Sequence, residues 1–115
     1  MIAVIFEVTP KPGHADDYFK HAARLKATLE TMDGFVSVER FESVTQPGKF
    51  LSLSFWRDED AVKGWRNQMQ HRATQQAGRE HVFADYRLRV ASVIRDYGMF
   101  ERDQAPADSR SHHHH

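Results

Sequence analysis

The chain of 115 residues contains no cysteine. That absence excludes a disulfide framework, thiolate catalysis and any cysteine-based metal site. Charge of one sign is also missing: 16 Lys and Arg offset 16 Asp and Glu. Without a basic excess, nothing points to nucleic acid, and no block of like charge suggests a membrane surface. Long apolar runs are absent as well. The longest, residues 2–6, is far too short to span a bilayer and has neither a basic leader nor a cleavage site. The expectation is a cytoplasmic protein. No HExxH or comparable ligand spacing occurs, so no dedicated metal site is expected. The terminal Ser111 to His115 reads as a truncated affinity tag, and residues 101–109 as a loose polar tail. The division is therefore one domain over residues 1–100 and a flexible tail over residues 101–115.

What is present is a clear alternation of periods. Residues 1–9 are rich in β-branched and aromatic side chains and apolar on both faces, which predicts a buried strand. Pro10, Pro12 and Gly13 end it. Over residues 14–32 the apolar positions Ala15, Tyr18, Phe19, Ala22, Leu25, Leu29 and Met32 recur at helical spacing, and Asp33-Gly34 stops the helix. Residues 35–43 and 50–56 read as two strands of a hairpin around Gln46-Pro47-Gly48. In the second, Leu51, Leu53 and Phe55 alternate with Phe50, Ser52, Ser54 and Trp56.

Asp58 looks like the cap of a second helix, with Glu59 and Asp60 in its first turn. The stretch over residues 66–80 is helix-compatible but poor in large apolar residues, and Gly78 breaks it. Residues 81–85 read as a connector, and residues 86–97 as the last strand.

The order β-α-β-β-α-β is the split βαβ, ferredoxin-like arrangement of an α+β domain with an antiparallel sheet. Helices cover one sheet face only. The first strand is apolar on both faces, and Phe35, Phe41, Phe50 and Trp56 add bulk. A second copy packed sheet to sheet would supply the missing cover, so a homodimer is expected.

The segments "FEVTPKPG", "GFVSVERFES", "GKFLSLSFWRDEDAV" and "GWRNQMQHRATQQAGRE" resemble the antibiotic biosynthesis monooxygenase family of dimeric α+β barrels, over residues 1 to about 98. The resemblance implies a cofactor-independent monooxygenase acting with O2 on a small aromatic, phenolic or quinol-type substrate. In the quinone-forming branch a Trp on the second helix lines the cavity, and Trp65 matches it. An Asn one turn before that Trp and a Tyr six residues after it are replaced here by Ala61 and His71. His71 is then the candidate acid/base, its ordinary pKa lying near neutrality. Arg72 is a candidate anion stabiliser and Gln75 a candidate substrate contact. Phe6, Phe50 and Trp56 are candidate cavity walls.

On an unbroken helix Trp65 and His71 stand about 240° apart, so both reach one pocket only if the helix bends near Asn67, a plausible cap for a second short helix. Arg87 and Arg89 read as a row that closes the barrel rim or pairs with Glu39 or Glu42. In a heme-degrading branch an Asn on the first strand falls near Phe6 or Glu7 and the iron-binding His falls at Gln75, so His71 would have to serve from one turn earlier. The alternatives are thus a heme-binding oxygenase and a non-enzymatic dimeric small-molecule-binding or stress-response module.

Overall fold

The computed structural model describes residues 1–75 and 82–110, with the side chains of residues 69–75 and 110 outside the description. The elements follow the predicted order: β1 (Ile2–Pro10), α1 (Ala15–Leu29), β2 (Phe35–Glu42), β3 (Phe50–Trp56), α2 (Glu59–Gln75) and β4 (Phe83–Ser92), then a short α3 (Ala107–Arg110). One four-stranded sheet has the order β2-β3-β1-β4. Every neighbouring pair is antiparallel.

β1 is central, so its alternation assigns a face to every strand. Ile2 lies opposite Trp56 and Ser92, and Val4 opposite Ser54 and Val90. These even-numbered positions face the helices. Ile2, Val4 and Trp56 pack there with Leu29 of α1 and with Ala61 and Val62 of α2; Leu25, Met32, Phe35, Val38 and Trp65 close the edges. Trp56 is wholly buried, and its indole N–H donates to Ser54 Oγ at 3.0 Å, which satisfies both buried polar groups. The odd-numbered face carries Ala3 and Ile5, with Leu51, Leu53 and Phe55 beside them. Among the described residues α1 and α2 pack on the other side.

The helix ends are set by local chemistry. α1 stops at Leu29, three residues short of the sequence expectation. The chain tightens there through Thr31 N–H to Thr28 O and Met32 N–H to Leu29 O. Gly34 follows with φ +81°, a conformation that costs any residue with a Cβ. Asp58 caps α2 by accepting the Ala61 N–H at 2.9 Å. Arg57 binds both oxygens of Asp33 at 3.0 and 3.2 Å and also reaches Asp58 at 3.2 Å. With Arg57 N–H to Gly34 O at 2.8 Å, this clasp ties the end of α1 to the start of α2.

Other boundaries moved for physical reasons. β4 begins at Phe83, because Phe83 and Asp85 pair with Pro10 and Thr9. The expected connector is therefore partly strand. β4 ends at Ser92 because β1 runs out: Ile2 is its last ladder partner, and only the Val93 N–H to Met1 O bond follows. Arg89 pairs with Glu7 at 2.7 Å, and Lys49 joins at 3.7 Å. Glu39 and Glu42 are not its partners; Glu42 accepts the Gly48 N–H instead. Within the expected tail the structure places local contacts. Arg102 donates to Gly98 O and Ser109 O and lies 5.1 Å from the Tyr97 ring centroid, with Ala105 buried beside it. The positions of the Gly78 break and of residues 76–81 lie outside the described residues.

Two glycines provide a controlled test of this account. Gly13 and Gly34 share φ +81°. A Cβ at Gly13 meets nothing within 4 Å, whereas one at Gly34 would lie 2.5 Å from Ala61 Cβ. Gly13→Ala should cost about 1 kcal/mol from backbone strain alone, and Gly34→Ala roughly 2–4 kcal/mol, because overpacking adds to it. Urea unfolding of both variants measures the difference.

Acid should weaken the fold in a defined direction. The Arg89 hydrogen bond, with Lys49 nearby, holds Glu7 below the usual carboxylate range, and Arg57 does the same for Asp33. The Ala61 N–H, then Arg57, lowers Asp58. A carboxylate whose pKa is lower when folded stabilises above its unfolded value and loses that contribution as pH falls through the folded one. Stability should thus decline below about pH 4. Glu7→Gln should flatten part of that decline, most visibly at low salt.

Candidate functional site

The helix side of the sheet holds two groups of aromatic rings. At one end Trp56 contacts Phe35 and Trp65, with centroids 5.4 and 5.9 Å away. This is the core. At the other end Phe6, Tyr18, Phe19, Phe50, Phe83 and Tyr86 form a continuous cluster. Tyr18 stacks on Phe50 at 5.8 Å and meets Phe83 edge-on at 6.0 Å. Phe83 and Tyr86 both touch Phe6, at 6.0 and 5.6 Å. Phe19 leans on Phe50 at 4.8 Å.

The register explains the cluster. Val8 faces Phe50 on one side and Tyr86 on the other, and Phe6 lies one ladder step away, opposite Leu88. α1 places Tyr18 and Phe19 above them.

The helix side of β4 is open. Tyr86, Leu88 and Val90 point to the same side as the core, yet 61%, 44% and 49% of each is exposed. An apolar strip of one edge strand thus lies uncovered beside six aromatic rings. It offers surface for the apolar body of a small ligand. Two depressions lie elsewhere. One of about 380 Å³ sits between the end of β1 and the departing tail, at Met1, Val36, Phe55 and Val93. The other, about 450 Å³, runs between the helix ends at Thr31, Asp33, Arg57 and Gln68. Neither borders the aromatic cluster.

The candidates from the sequence divide accordingly. Phe6 and Phe50 belong to the cluster. Trp56 does not: it is a buried core residue. Trp65 is half-buried against that core, and its indole nitrogen is buried with no hydrogen-bond partner. A buried indole N–H ordinarily finds an acceptor, so this donor is spare.

α2 is continuous through Asn67, so no second helix starts there. Position 71 remains about 240° around the axis from position 65, while position 72, seven residues on, returns to within about 20° of it. The side chains of His71, Arg72 and Gln75 lie outside the described residues.

Residues that the sequence did not single out are Tyr18, Arg40, Phe83, Tyr86, Leu88 and Val90. Tyr18 is 4% exposed, and neither its hydroxyl nor Arg40 Nε has a hydrogen-bond partner. Burial pushes the Tyr18 phenol up. Arg40 is close enough to pull it back, although no hydrogen bond of good geometry joins them. The available signal was the apolar alternation of Tyr86, Leu88 and Val90 in an edge strand that ends up without a helical cover. Among the described residues no group of His, Asp or Glu is arranged to hold a metal ion, and no helix is long and apolar enough to cross a membrane.

Comparison with known proteins agrees with this architecture. The chain is 45% identical over 93 residues to jasmonate monooxygenase ABM of Pyricularia oryzae, covering 81% of this chain but only 43% of that protein. It is 31% identical over 93 residues to YqjZ of Bacillus subtilis, an uncharacterized protein, covering 81% of this chain and 79% of that one. The fold matches the heme-degrader MhuD of Mycobacterium tuberculosis with a TM-score of 0.67 at 20% identity, covering 85% of this chain and 100% of that one. The sequence model of the antibiotic biosynthesis monooxygenase family matches residues 1–77. Reached from the strand order, the ring cluster and that match together, the conclusion is that this chain belongs to the antibiotic biosynthesis monooxygenase family.

Proposed function

We propose that the chain is a cofactor-independent oxygenase acting on a small aromatic, phenolic or quinol-type substrate, bound on the helix side of β1 and β4. The observation that carries this reading is the uncovered strip of Tyr86, Leu88 and Val90 beside Phe6 and its ring cluster. Flat apolar surface of this kind suits a flat apolar molecule.

The chemistry is driven by the substrate. A base removes an acidic proton, and the electron-rich anion adds O2 at a ring-flanked methylene carbon to give a peroxide. Loss of the second hydrogen with O–O cleavage leaves a carbonyl and releases one water. Carbon is oxidised by four electrons and O2 is reduced by four. His71 is the proposed acid/base. Arg72, on the helix sector of Trp65, is the proposed anion stabiliser. Trp65 is the proposed wall.

The fold shared with MhuD raises the heme alternative. The residues on β1 fit it poorly. Phe6 is an apolar member of the ring cluster, and Glu7 lies on the other sheet face, held by Arg89 and Lys49. Neither supplies an amide on the helix side, so no step through heme is derived. A non-enzymatic binding module would use the same apolar strip without consuming oxygen.

Oxygen uptake tests the reading. A panel of hydroxyanthrones and quinols is joined by jasmonate, for which the Pyricularia relative is named. Uptake with one of them should fall at least tenfold in His71→Ala. Leu88→Trp, which fills the strip, should raise KM while leaving thermal unfolding unchanged. No uptake with any compound, or a Soret shift on heme titration, would overturn the proposal.

The homodimer is the second part of this proposal. The uncovered sheet face carries Ile5, Leu51, Leu53 and Phe55, with Phe41 and Val36 exposed at its margin. A second copy placed face to face would remove that surface from water. Phe41→Glu should shift the chain to a monomer in light scattering without loss of helical circular dichroism. A wild-type monomer at micromolar concentration would contradict the homodimer.

A further inference from the structure

Arg40 is a half-buried cation without a counter-charge. No carboxylate among the described residues pairs with it. Glu39 beside it lies on the other sheet face, and Glu42, one ladder step along, is engaged with Gly48 N–H. Its Nε is buried and unpartnered. Arg40 lies opposite Ser52, one ladder step from Phe50, on which the Tyr18 ring stacks, and the Tyr18 hydroxyl beside it is also buried and unpartnered, on a side chain only 4% exposed. A guanidinium and a phenol converge here, and although the phenol oxygen can accept, no hydrogen bond of good geometry joins them. Unpaired buried donors are costly, and an unpaired buried charge more so. An anionic oxygen placed between them would pair with both.

The surroundings say what that oxygen would be attached to. The Tyr18 ring stacks on Phe50 and meets Phe83, and Phe83 leads to Tyr86 at the open strip. The two ring-to-ring steps from Tyr18 to Tyr86 are 6.0 and 6.3 Å. That is the scale of a molecule of two or three fused rings. We propose that Tyr18 and Arg40 bind the anionic oxygen, carboxylate or phenolate, of a small aromatic acid whose body lies along the six-ring cluster. This deepens the oxygenase reading, on which it rests, by naming the polar end of the site. Both donors are shut from solvent, so the rings around them part when the ligand enters. Arg40 then favours the ionised form of a phenol, the form that reacts with O2, and Tyr18 donates to the same oxygen.

Binding without turnover provides the test. 2-Naphthoate and the neutral 2-naphthamide are titrated into the full chain by calorimetry. Naphthoate should bind at least about tenfold more tightly, Arg40→Met should erase that preference, and Tyr18→Phe, which keeps the ring, should weaken naphthoate severalfold. In the phenolate arm, 4-nitrophenol should show a lowered apparent pKa on binding, read from its visible spectrum, and Arg40→Met should abolish the shift. An effect in one arm alone identifies the oxygen as carboxylate or phenolate. Arg89→Met, on the opposite face, should alter neither arm. Thermal unfolding verifies that each variant is folded.

Equal binding of naphthoate and naphthamide with no shift in 4-nitrophenol would overturn the proposal and leave the two donors to a buried water. So would a preference that survives Arg40→Met. The failure of the oxygenase reading looks different: anion binding would persist while no compound supports oxygen uptake. Conversely, uptake unchanged in Tyr18→Phe and Arg40→Met would retain the oxygenase and sink the anion site.

Discussion

β1 is hydrogen-bonded on both edges, to β3 and to β4, and that double pairing governs everything else. A strand with two partners cannot slip by one residue without breaking both ladders and turning its own side chains to the other face. Its register sets Ile2 and Val4 under the helices, next to Trp56. It sets Ile5 on the uncovered side. It also brings Phe6 between the side chains that become the ring cluster. The core, the proposed dimer face and the candidate site are three consequences of one alternation.

Helix placement is the second constraint, and it is asymmetric. The Arg57 clasp and the Asp58 cap fix where α2 begins, and Ala61, Val62 and Trp65 then pack on the core around Trp56. Those contacts hold α2 toward the middle of the sheet. The edge strand β4 is left with an apolar strip that no described residue covers. Burying the exposed half of Leu88 and Val90 would be worth about 1 kcal/mol each. A chain that leaves such surface open on its core side has forgone that stabilisation where a ligand would sit.

Much of the fold was legible in the sequence, because the period changes from two to 3.6 and back are strong and the turns carry Gly34 and Gly48. The faces of β3 were legible for the same reason. Boundaries were harder. The end of β4 depends on where β1 stops, a fact about a distant segment rather than about residues 86–97. The order of the tail depends on Arg102 meeting two backbone carbonyls, which no local pattern announces. The pairing of Arg89 with Glu7 rather than Glu39 follows from the strand order, which places β2 two strands away from β1 and three from β4.

The site was legible only in part. Phe6 and Phe50 could be named because they are large and apolar on strands facing the helices. Trp56 could be named by the same reasoning, and it turned out to be core, since one strand supplies both floor and filling. Tyr18 was readable as a core position of α1, but its unsatisfied hydroxyl was not. That property belongs to a pair of residues on different elements, and pairs emerge only when the sheet brings β2 beneath α1. A buried tyrosine in a helix pattern ordinarily places its hydroxyl at an acceptor or at the surface. Here it meets an arginine without a hydrogen bond of good geometry, and an anionic oxygen between the two would pair with both. The same logic separates Tyr18 from Trp65. The Trp65 indole is one neutral donor, whose cost a water can relieve. Tyr18 and Arg40 together present a charge, and a charge in this setting selects an anion over water.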